Sequence, residues 1–136
     1  MSLLAKLLLS VGVVFYVVLI PYLEWNQSHV FNPDWPPHAR FHEVWQLITN
    51  VAFGLLALWL TWVRQLFGMA AIISTIVMGG VIGSHLLADH VGSSVQSGNI
   101  ATEVLGLDLA VFVAIVVVVI SLLAAMVPVR KNRIDW

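Results

Sequence analysis

The sequence predicts an all-α membrane protein, a four-helix up-down-up-down bundle forming one domain over residues 1–136. Three observations carry that reading. Hydrophobic residues make up 60% of the chain and charged residues 10%, against the ~25% charged content of an ordinary soluble domain. Four apolar stretches each reach the roughly 20 residues that a helix needs to cross a bilayer. The polar segment between the second and third stretches, Arg64-Gln65-Leu66, is only long enough for a tight turn between antiparallel neighbours.

Composition also excludes several functions. The net charge of −1 implies no nucleic-acid partner. Without cysteine the chain has no disulfide, thiolate metal site, iron–sulfur cluster or cysteine nucleophile.

Helices are expected at about residues 3–23, 37–64, 67–90 and 102–127, with an outer loop at 24–36. The first is read as a retained span, because its apolar run is long and no small-x-small cleavage pattern comes after it. Lys6 snorkels at one edge, Tyr16, Tyr22 and Trp25 mark the other half, and Pro21 is expected to bend or end the helix. Glu24 reads as a rim charge that can also lean over the bundle mouth. The next segment, the outer loop, carries Trp25, Phe31 and Trp35 and is expected to fold over that mouth as a lid. Asn26-Gln27-Ser28 within it is formally a glycosylation sequon.

The second helix opens at Pro37, since a first-turn N–H has no partner in any case. His38, His42, Gln46 and Asn50 then recur every four residues, a stripe that drifts by ~40° per step. Gly54, Ala57 and Thr61 continue it as a small-residue surface for close packing. The third helix is rich in small residues, with Gly79 and Gly83, and Gly80 and Ser84, at the spacing that favours tight helix contacts. His85 and Asp89 share a face at its end, whereas His90 lies ~140° away. Asn99 or Thr102 is expected to cap the fourth helix, with Glu103 in its first turn and ~140° from Asp108. Its remainder is aliphatic wall, ending in a basic interfacial tail.

Lys6, Arg64, Arg130, Lys131 and Arg133 fall on one side of such a bundle, and only Arg40 on the other. The positive-inside rule then makes both termini cytoplasmic. All five histidines and every acid except Asp135 face outward.

Ionisable residues at a membrane are costly and usually functional. Three helices deliver them to one level, which points to an outward pocket for a lipophilic small molecule or lipid. His42, His85, Asp89, Glu103 and Asp108 are the candidate catalytic groups for acid–base chemistry, as in an isomerase or hydrolase. Gln46, Asn50, Trp45, Glu43 and Trp35 are candidates for substrate binding. Alternative readings are a metal site on His38, His42 and His85, haem ligation in an oxidoreductase or redox-associated subunit, and proton or cation transport. A purely structural subunit, in a homo-oligomer or membrane complex, is the blander alternative.

The run from Asn32 through Pro33, Asp34, Trp35, Pro36 and Pro37 to His42 resembles signatures of uncharacterised small membrane families. The four-helix layout with an outward polar site resembles the DoxX-like group of small bacterial membrane proteins. The layout covers the whole chain and the motif little over a tenth of it. The DoxX-like resemblance implies a bacterial inner membrane. In general chemistry the pocket also resembles the membrane sterol-isomerase group that includes emopamil-binding proteins; that group's motifs have no counterpart in this sequence, so no catalytic residue is carried over.

Overall fold

In a computed structural model, residues 3–95 and 102–126 are described. Four helices, α1 (Leu3–Glu24), α2 (Pro37–Arg64), α3 (Phe67–Val91) and α4 (Leu109–Met126), are each long and apolar enough to cross a membrane. Each helix packs on the next, and α4 closes back on α1.

The buried residues follow the helical repeat. In α1 they are Ala5, Leu9, Gly12, Val13 and Tyr16, and in α4 Val111, Ala114, Val117, Ser121 and Ala124. Such stripes turn one face of each helix to the bundle axis. Bulky apolar side chains such as Leu4, Ile48, Ile72 and Leu86 remain exposed, as an acyl-chain environment permits.

Two polar contacts tie the packed half together. Tyr16 and Ser74 share a buried hydroxyl–hydroxyl bond of 3.0 Å between α1 and α3. Trp62 Nε1 donates to Ser10 Oγ at 2.9 Å, with the Lys6 ammonium 5.2 Å from the Trp62 ring centre. Among the described glycines, the tightest contact is at Gly54. A Cβ there would run into Val17 Cγ2 and lie 2.8 Å from Tyr16 Cε2, so only glycine lets α1 and α2 meet.

Helix ends follow local chemistry. Pro37 opens α2 at the first-turn position without a side-chain cap. Gln65 closes it in the left-handed conformation at φ 54°. Gly92 does the same for α3 at φ 64°, its N–H bonding to Ala88 O.

Three expectations need correction. Pro21 does not end α1: the turn before it, Phe15–Leu19, widens to a π-helix, and the helix continues to Glu24. Proline has no N–H to give the residue four before it, and a wide turn is one way for a helix to absorb that gap. The helix expected from residue 102 begins at Leu109. Before it, Glu103–Val104 and Leu107–Asp108 form strands β1 and β2 of an antiparallel hairpin. Leu105 and Gly106 both take positive φ, the two-residue turn that Gly favours and a helix cannot contain. Thr102 therefore closes the hairpin base, its carbonyl accepting from Leu109 N–H. Lastly, Gly79, Gly80 and Gly83 make no tight contact, for a Cβ on any of them would meet open space. Asn99 and the basic tail lie outside the described residues.

Candidate functional site

Eight residues along α2 from Gly54, at Gln46, α1 and α2 have separated, and a cavity of ≈490 Å³ lies between the four helices and the loop after α1. Its apolar wall comes from the π turn and the last turn of α1 (Phe15, Leu19, Ile20, Leu23), from Met78 and Val81 of α3, and from Val113 of α4. Its polar wall is Glu24 at the end of α1, Ser28, His29, Asn32 and Trp35 of the loop, Glu43 and Gln46 of α2, Ser94 after α3, and Asp108 at the end of β2.

The loop is held by its own side chains. Asn26 Oδ1 accepts from Ser28 N–H at 2.8 Å and from the Ser28 hydroxyl at 2.7 Å, the closed local turn that Asn favours. Val30 N–H donates to Glu24 O at 3.2 Å, which returns the chain over the helix end. Trp25 packs edge-on against Phe31, and Trp35 against His29, each pair 5.7 Å apart.

This turn buries His29 to 9% exposure. The Ser28 hydroxyl proton is committed to Asn26 Oδ1, which can only accept. Ser28 Oγ, 2.8 Å from His29 Nδ1, therefore accepts from Nδ1–H. That assignment makes Nε2 the basic nitrogen of the neutral ring. Nε2 lies 2.7 Å from Glu24 Oε2. The approach has ion-pair distance without hydrogen-bond alignment, so Oε2 is fully buried and has no aligned donor. Burial pushes the His29 imidazole below its usual range and favours the neutral form. Glu43 lines the same cavity as Glu24. A carboxyl oxygen and a ring nitrogen so close compete for one proton, as a group that takes and returns a substrate proton must.

The structure brings Glu43, Gln46, Trp35 and Asp108 to this cavity. Gln46 also borders a second cavity of ≈500 Å³, together with Asn50, Thr49, Ser84 and His85. The two spaces share Ile20, Gln46, Met78, Val81, Ser94 and Val95, so they adjoin. His42 borders neither. Its ring stacks on Trp45 at 5.7 Å, and its Nε2 is 3.0 Å from His38 Nε2, all on the exposed face of α2. Trp45, Asp89 and Glu103 are exposed as well and border neither cavity. Glu103 and Asp108 face each other across the hairpin, and Asp108 alone lines the cavity.

His38, His42 and His85 do not converge. Among the described residues, no three His, Asp or Glu side chains are grouped to hold a metal ion. Sequence reasoning did not assign His29, Ser28 or Asn32 to the candidate site. The one signal in the sequence was Asn26-x-Ser28, which serves here as a local turn.

A family model described as a family of unknown function (DUF6640) matches residues 8–133. The chain belongs to that family. The comparisons with curated proteins and with solved structures found no match.

Proposed function

We propose that this DUF6640 member is a multi-pass membrane enzyme that moves a proton on a lipophilic substrate held in the Glu24–His29 cavity. The observation that carries the reading is the buried, donor-free Glu24 Oε2 beside His29 Nε2, at the wall of a largely apolar cavity. The Glu24 carboxyl gives its proton to one carbon of the double bond, His29 Nε2 takes a proton from the carbon next to the other end and passes it back to Glu24, and Gln46 orients a polar group of the substrate. Shifting a double bond needs one proton removed and one returned, with no electrons and no co-substrate. Glu43 and Asp108 then offset the positive charge that develops on the substrate once the double bond is protonated.

The bundle is read as up-down-up-down with both termini cytoplasmic, on the strength of Lys6 and Arg64 lying at the end away from the acids. The cavity then faces outward, in the inner membrane if the source is bacterial. Kinship with DoxX-like proteins has the four-helix layout as its support.

Exchange with solvent deuterium tests the reading without naming a substrate. Purified protein incubated in heavy water with a lipid extract of its host should place deuterium on carbon in one lipid class. Glu24→Gln and His29→Gln should lower that incorporation ~100-fold. No incorporation above that of a heat-denatured sample would overturn the proposal.

A further inference from the structure

The charges around the cavity do not balance. Glu24, Glu43 and Asp108 border it, and among the described residues no Lys or Arg does. Lys6 sits against Trp62 and Phe67, and Arg64 against Trp59, at the other end of the bundle. Arg40, the nearest basic residue in sequence, makes no ion pair among the described residues. The one basic group on the wall is His29, and burial favours its neutral form.

Carboxylates taken out of water without a partner are strongly disfavoured, and a bound cation relieves that cost. Independently of this count, no hydrogen-bond donor is aligned on Glu24 Oε2, whose close neighbour is His29 Nε2 at 2.7 Å. A protonated amine supplies both the missing charge and the missing donor. Trp35 on the same wall adds an aromatic ring of the kind that attracts cations. Phe15, Leu19 and Val113 leave an apolar surface for the rest of such a molecule.

We propose that the ligand is a lipophilic amine, its ammonium placed between Glu24 and Glu43 and its hydrocarbon body along the π turn of α1 and Val113 of α4. This rests on the cavity reading above and adds the charge of the ligand. An anionic lipid is excluded by the same walls, and a neutral alcohol gains only the apolar half of the site.

The test uses the full chain in phosphatidylcholine nanodiscs, with empty nanodiscs as the partition baseline. Dodecylamine, dodecanol and laurate are titrated, and binding is read from thermal unfolding and tryptophan fluorescence. Dodecylamine should bind about tenfold tighter than dodecanol, and laurate should not bind above the baseline. Glu43→Gln should bring the amine and the alcohol to within about twofold of each other. Equal binding of amine and alcohol by the unsubstituted protein, or preference for laurate, overturns the amine assignment and leaves the apolar cavity standing. Binding of none of the three overturns both. The comparison of probes on the unsubstituted protein decides the matter even if Glu43→Gln fails to fold.

Discussion

At Gly54 the first two helices leave no room for a methyl group, whereas ~12 Å further along the same pair, at Gln46, they part around a ≈490 Å³ cavity. The packed end is held by small residues and by the Tyr16–Ser74 and Trp62–Ser10 hydrogen bonds. The open end collects three carboxylates and a buried histidine, with no Lys or Arg to answer them among the described residues. Packing of the first kind stabilises a fold. Carboxylates of the second kind cost stability and are kept where an active site needs them. The difference divides the molecule into a clamp and a candidate site.

The largest effect should come from closing the gap in that division at its packed side. Gly54→Val drives two methyl groups into Val17 and Tyr16 and should cost about 3 kcal/mol of stability. Thermal unfolding in nanodiscs measures it, and a change below ~1 kcal/mol would mean that the helices part freely at this point.

A smaller effect belongs to His29. Its folded-state pKa lies below the ordinary value near ~6.5, so in the interval between the two the unfolded chain binds more protons than the folded one. Stability contributed by His29 should therefore be complete above that ordinary value and be lost as the pH falls toward the folded-state value. His29→Gln should flatten this part of the pH–stability curve. An unchanged slope would place His29 in water and remove it from the site.

The smallest effect sharpens the contrast between two kinds of histidine. His38 and His42 have the spacing that invites a metal or catalytic role, yet they meet each other and Trp45 on an exposed face. His42→Ala should change stability by no more than ~0.5 kcal/mol and leave deuterium exchange intact. Loss of exchange would move the site to this face of α2.

The same contrast shows what could be seen beforehand. The spans, the Pro37 start of α2 and the tight turn at Gln65-Leu66 were legible, because each depends on hydropathy or on one local residue. Of the expected site residues, Glu43, Gln46, Asp108 and Trp35 border the ≈490 Å³ cavity, and His42, Trp45, Asp89 and Glu103 do not. His29 was not legible, since its burial depends on a chain reversal set by Asn26 and Ser28, and helical phase carries no information about a loop. Gly106 hid the hairpin: a glycine between apolar residues reads as helix until its positive φ is known. On α3, glycine spacing pointed to contacts that the fold leaves open around Gly80, a residue of the second cavity wall.

The division into clamp and site is tested most directly by the melting temperature of the Glu24→Gln, Glu43→Gln double variant in nanodiscs. Removing two carboxylates from the open end should leave the melting temperature unchanged or raise it. A fall as large as that of Gly54→Val would show that the acids help hold the bundle together, and would contradict the assignment of this end as a functional site.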